Sequence, residues 1–157
     1  MSDPAGPPSQ RLAELGLTLP AVVAPVANYL PALASGGQVL TSGQVPLADG
    51  KPLFTGKVGD RVSPEQAYAA ARLCAINALA AASSVAGGID RITRVVKAVV
   101  YVAGVPGFTG QPQVANGASD LFVEVFGDRG RHVRSAVGVA ALPLDVPVEV
   151  ELVVEAG

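Results

Sequence analysis

The chain has 157 residues, half of them apolar and 15% charged, with a net charge of −2 from 11 basic and 13 acidic side chains. That is one domain's length with enough apolar content for a core, and the balance argues against a nucleic-acid surface, which shows as a basic excess or stripe. One cysteine, Cys74, excludes an internal disulfide, and a single cysteine and a single histidine, far apart in the chain, cannot close a zinc site.

Residues Met1 to Gln10, "MSDPAGPPSQ", read as a flexible tail, and their Asp and Pro residues are unlike a signal peptide. "RLAELGL" allows a short helix ended by Gly16, so residues 1–16 read as an extension and 17–157 as a single domain. No run of about 18 uninterrupted apolar residues marks a membrane span, and a cytoplasmic protein is the expectation. The apolar segment Val22 to Leu33 is broken by Pro25 and Pro31, which allows at most an edge strand. "SGG" at 35–37 suits a hairpin turn, and "QVLTSGQVPL" suits a strand in which Gly43 permits a bulge or a close backbone approach. "ADGKPLFTGKVGD" reads as a Gly-rich loop or small hairpin.

"SPEQ" at 63–66 is a helix start: Ser63 can cap, Pro64 suits the first helical position and Gln66 can complete a capping box. The helix should run to about Val85 and stop at Gly87-Gly88. Cys74 falls among Ala67, Ala70, Ala71 and Ala78, a small-residue face suited to close packing, and reads as a buried hydrophobe. "ITRVVKAVVYV" at 92–102 is a strand, a second helix spans about Pro112 to Phe126, and two further strands cover His132 to Ala140 and Pro147 to Val154. This order gives an α+β fold with one sheet and both helices on one face. Aromatic residues are few and Trp is absent, so Ala and Val do the packing, and oligomerisation is a natural way to bury more area.

Chemistry must come from Arg, carboxylates, Tyr, hydroxyls, backbone groups and water, because no dinucleotide fingerprint or phosphate loop is present. In "GRHVRSAVGVA" at 130–140, strand alternation puts Arg134, Ala136 and Gly138 on one face and Val133, Ser135, Val137 and Val139 on the other. The Arg face is very small beyond its charge. Arg134 can therefore hold a carboxylate bidentately over a hollow, or else pair with an acid at a strand end. In "PVEVELVVE", Val148, Val150, Leu152 and Val154 face the core, with Glu149, Glu151 and Val153 opposite. Those glutamates face water, or one lines the same hollow as Arg134 and orients a water. Tyr29 in "VANYLPAL" is an edge packing residue or a phenol in a cleft, Asn116 is a cap or a ligand contact, and His132 reads as a strand-end surface residue.

Taken together, "VLTSGQVPL" at 39–47 and "RSAVGVAALPLDVPVEVE" at 134–151 resemble the reactive intermediate deaminase family, also called RidA or YjgF and formerly endoribonuclease L-PSP or translation-inhibitor proteins. The resemblance runs from about Tyr29 to Glu155, and "GKVG", "VANGASDLFVEVFG" and "GRHVRSAVG" look like a longer branch. It implies a fold like that of Bacillus chorismate mutase and a homotrimer with clefts between subunits, without cofactor or metal. It further implies that Arg134 binds the carboxylate of a 2-imino acid and that Glu149 positions the attacking water. Tyr29, Ser42, Gly43, Asn116, Ser135 and Ala136 would line the cleft. Core members often carry Cys where this chain has Ala136, which removes thiol chemistry there, and "RHV" replaces their Pro-Ala before the Arg. Against that family the chain has extra residues after Phe108, which the resemblance implies would reshape the cleft. The expected activity is hydrolysis of small 2-imino or enamine acids to 2-oxo acids and ammonia. A trimer that binds a small carboxylate without turnover is the competing expectation, and ribonuclease or translation-inhibitor activity is a third.

Overall fold

A computed structural model describes residues 6–157. Helix α1 (Pro8–Glu14) is followed by an irregular segment and the hairpin β1 (Ala32–Ser35) and β2 (Gln38–Thr41). A two-residue hairpin, β3 (Leu47–Ala48) and β4 (Lys51–Pro52), leads to α2 (Pro64–Ala86), β5 (Ile92–Ala103), α3 (Gln111–Phe126), β6 (Val133–Val139) and β7 (Val148–Ala156). The main sheet has the order β1-β2-β7-β5-β6, antiparallel except for the β5/β6 pair, and is therefore mixed.

Local chemistry accounts for the boundaries. Ser63 and Gln66 form the reciprocal capping box at the start of α2, which ends on Gly87 at φ 93° in the left-handed region. The β1–β2 turn uses Gly36 and Gly37, both at positive φ, as a tight hairpin between right-twisted strands requires. The alternation of β7 is realised: Val148, Val150, Leu152 and Val154 are buried, and the residues between them are not.

The core lies between the sheet and α2 and α3. Ala67, Ala70, Ala71, Cys74, Ala75 and Ala78 of α2 are fully buried, and the Cys74 thiol donates to the Val148 carbonyl at 3.5 Å. By length and composition α2 is apolar enough to cross a membrane, but its buried face is occupied by the sheet and α3. The two long helices cross closely at Gly117, where a Cβ would stand 2.1 Å from the Tyr68 carbonyl oxygen.

One expectation needs correction. Three helices are present and not two: the short helix that "RLAELGL" allows is α1, and it begins earlier, at Pro8, inside the stretch read as a flexible tail, of which residues 1–5 lie outside the described part. Side-chain anchoring is the reason. Leu12 is buried, Ser9 bonds Asp90 through its N–H and hydroxyl at 2.8 and 2.7 Å, and Arg11 Nε donates to the Glu124 carbonyl at 3.0 Å. The strand that carries Arg134 is an edge of the sheet, and Val133 and Val137 are exposed at 65% and 43%.

Candidate functional site

Register decides which side chains can meet. In the parallel pair, Arg134, Ala136 and Gly138 lie opposite Ala98, Val100 and Val102, all buried, so they face the helices. Arg134 is half-buried there. Its Nη1 donates to Asn116 Oδ1 at 2.8 Å and to Ser119 Oγ at 3.1 Å, both on α3. Those two bonds use both Nη1 hydrogens on neutral acceptors. Among the described residues no carboxylate pairs with Arg134, and its Nε–H and Nη2 edge is unspent. That edge is the planar fork a carboxylate accepts from.

Ser119 extends the cluster. Its Oγ lies 2.9 Å from His132 Nε2, whose Nδ1 is 2.6 Å from the Gly130 carbonyl, and the imidazole meets the Phe122 ring edge-on at 5.3 Å between centroids. His132 is thus held in a network instead of on an open surface as expected. Burial and then the nearby Arg134 charge push its pKa below 6.5, partly offset by the Gly130 carbonyl.

Glu149 belongs to the other face. It lies opposite Tyr101 of β5, which in turn lies opposite Val137 of β6, one of the outward residues. Within one chain Arg134 and Glu149 therefore point to opposite sides of the sheet from strands separated by β5, about 10 Å across. The reading in which one chain's glutamate shares a hollow with its own Arg134 does not hold. Instead Glu149 backs onto Gly43: a Cβ there would stand 2.6 Å from Glu149 Oε1, so the missing side chain makes room for the carboxylate. Glu149 is half-buried, and burial, followed by repulsion from Glu151, raises its pKa. Glu151 in turn accepts from the Tyr101 hydroxyl at 3.1 Å.

Ser42 stands beside Gly43 and ties the irregular segment to it, its hydroxyl donating to the Leu30 carbonyl at 2.6 Å and its N–H to the Pro31 carbonyl at 2.8 Å. That tether holds the chain next to Tyr29, whose ring is exposed. The candidate residues accordingly fall into two groups. Arg134, Asn116 and the half-buried Ala136 sit between β6 and α3; Glu149, Gly43 and Ser42, with Tyr29 tethered nearby, sit at the β2/β7 side. Ser135 is exposed on the outward face of β6. Sequence reasoning missed Ser119. Its signal was the three-residue spacing from Asn116, which puts both on one helix face. Among the described residues no three His, Cys, Asp or Glu side chains group to hold a metal ion.

A cleft of about 370 Å³ opens farther along β6, lined by Lys57, Phe108, Gln111, Gly138 and Ala140 among others, and does not include Arg134. Lys57 Nζ donates to the Ala140 carbonyl, and Gln111 Nε2 to the Phe108 carbonyl at 2.7 Å, so both polar groups on its wall are already engaged.

Comparison with known proteins bears on this arrangement. Protein TCP17 of Trypanosoma cruzi is 45% identical over 152 residues, covering 96% of this chain and 95% of that protein. The crystal structure of Atu1372 from Agrobacterium tumefaciens, a protein of unknown function, is 44% identical with a TM-score of 0.88, over 96% of this chain and 93% of that one. A "putative endoribonuclease" from Shewanella oneidensis is 35% identical with a TM-score of 0.91, over 96% and 99%. Escherichia coli TdcF with bound serine, at 23% identity and a TM-score of 0.63, shares the fold over 85% of this chain and 92% of its own. The family described as "YjgF/chorismate_mutase-like, putative endoribonuclease" matches residues 9–156, from the Ser9 anchor of α1 to the last residue of β7, and it is to this YjgF/RidA-like family that the chain belongs.

Proposed function

We propose that the chain is a hydrolytic deaminase of small 2-imino acids, in which Arg134 holds the substrate carboxylate and Glu149 of a neighbouring copy places the attacking water. The observation that carries this reading is the guanidinium of Arg134: half-buried, fixed through one nitrogen by neutral oxygens, and without an acid partner among the described residues. A positively charged fork held in one orientation is suited to a carboxylate that arrives from outside the chain.

The chemistry asks little more. A protonated imine is electrophilic at carbon. Water adds there as Glu149 removes its proton, which gives a carbinolamine. Glu149 returns that proton to nitrogen and then takes the hydroxyl proton as the carbon–nitrogen bond breaks. Ammonia leaves, the 2-oxo acid remains, and the last proton passes from the carboxylic acid to ammonia or solvent. The carbon–oxygen bond forms, the carbon–nitrogen bond breaks, and neither oxidant nor covalent enzyme intermediate is required. A carboxylate with a raised pKa is a better proton carrier near neutrality than a fully solvated one. Gly43 leaves room for that carboxylate, and Asn116 and Ser119 set the guanidinium.

One chain cannot bring both groups to one small molecule, because they lie on opposite faces of its sheet. A homotrimer with its clefts between subunits supplies both. The outward sheet face supports such assembly, since Leu33, Leu40, Val133 and Val137 are exposed on it, beside an edge strand with no partner beyond it.

The test generates imino acids in place with an amino-acid oxidase and traps what survives with semicarbazide. Faster loss of the imine with the wild-type chain, abolished in Arg134→Ala, is expected. No acceleration across a panel of imino acids would leave carboxylate binding without turnover.

A further inference from the structure

The network behind Arg134 has a direction that its atoms fix. The Gly130 carbonyl can only accept, so His132 Nδ1, 2.6 Å away, carries a hydrogen. In the neutral ring Nε2 is then bare, and Ser119 donates its hydroxyl hydrogen to it across 2.9 Å. That leaves the lone pairs of Ser119 Oγ free to accept from Arg134 Nη1 at 3.1 Å, while the second Nη1 hydrogen goes to Asn116 Oδ1. Each hydrogen is used once, in the order guanidinium to hydroxyl to imidazole to carbonyl.

Adding a proton to Nε2 reverses one link. The imidazolium then donates to Ser119 Oγ, the serine hydrogen loses its acceptor, and two cations share one oxygen. We propose that Ser119 and His132 are positioning residues for Arg134, and that the grip of Arg134 on a carboxylate loosens when His132 is protonated. This rests on Arg134 being the carboxylate holder described above.

The surroundings leave Arg134 as the charge acting on the imidazole. From α3 the ring meets Ser119 and Phe122, while Asp120 of that helix is turned to the Tyr68 hydroxyl at 2.6 Å. Arg131 pairs with Asp128 at 3.4 Å, next to Arg129, and Arg94 of β5 donates to the Arg131 carbonyl. Lys97 of β5 lies opposite Val133, on the outward face. The lowered pKa of His132 agrees with a neutral ring in the working state.

His132 is the chain's one histidine, so its ring nitrogens can be followed by NMR without ambiguity, whether or not the chain turns over an imine. The expected signals are those of the Nδ1–H tautomer, with a titration midpoint below 6.5 that rises in Arg134→Ala. In imine hydrolysis, Ser119→Ala should raise KM about tenfold with kcat little changed, the loss of one hydrogen bond to a charged group, and Ser119→Thr should restore it. Wild-type KM should also climb as pH falls through the His132 midpoint, and that climb should vanish in His132→Gln. An Nε2–H tautomer, a midpoint unmoved by Arg134→Ala, or a wild-type KM in Ser119→Ala would overturn the proposal. A wild type that hydrolyses no imine would count against deamination alone, because the NMR coupling between His132 and Arg134 stands or falls by itself.

Discussion

At Arg134 the charge is less informative than its geometry. A lysine there would keep the positive charge and lose the planar fork. Arg134→Lys is expected to lower kcat/KM by about a hundredfold, mainly through KM, with melting temperature nearly unchanged; steady-state kinetics with calorimetry checks both. Gly43 makes a complementary prediction. The nearest atoms to an added methyl belong to the end of the Glu149 side chain, which can swing away. Gly43→Ala should therefore fold well and lose kcat, because the carboxylate is pushed from its place. Glu149 also sets a pH signature. Its folded pKa is raised above 4.5, so the acid limb of kcat should lie above that value and disappear in Glu149→Gln. By linkage the same shift favours the folded state below the unfolded pKa, and that contribution fades as pH rises through the folded one.

Elements differ in how much of themselves they announce. Helix α2 was legible because its start and stop are local chemistry, a capping box at Ser63 and glycines at 87 and 88. Ser63→Ala should cost about 1 kcal/mol by thermal unfolding. The alternation of β7 was legible for the same reason, since its period shows in nine residues. Helix α1 was legible only in its second half, at "RLAELGL"; its start at Pro8 was not, because what holds it comes from afar: Asp90 and the Glu124 carbonyl hold it, and "PPSQR" contains no trace of either. The side on which Arg134 lands was hidden too. Strand periodicity separates two faces but does not say which one a helix covers; that requires the β5/β6 register. The α2/α3 crossing gives a sharper test. An alanine at Gly117 would drive its methyl into the Tyr68 backbone, where no side chain can rotate aside. Gly117→Ala should destabilise by about 2 kcal/mol or more, measured by denaturant titration, whereas Gly43→Ala should not.

For the whole molecule, the decisive property is that Arg134 and Glu149, the two groups of the proposed mechanism, look in opposite directions. If sites form between copies, two variants that each lack one of the groups should repair each other. Arg134→Ala and Glu149→Gln chains, unfolded together and reassembled, should regain about a quarter of wild-type activity at equal mixing, since that fraction of interfaces joins an intact Arg to an intact Glu. Sites complete within one chain would recover nothing. Val137→Asp, which puts a charge on the outward edge strand, should yield a monomer by light scattering and remove activity with it.

If the chain is the deaminase proposed above, the separation of Arg134 from Glu149 by the thickness of a sheet has a further consequence for how it is switched on. A newly made polypeptide would be fully folded yet inert until it met its own kind. Specific activity would then fall on dilution and climb again with expression level, so the amount of protein in its compartment would act as the control, with no effector needed.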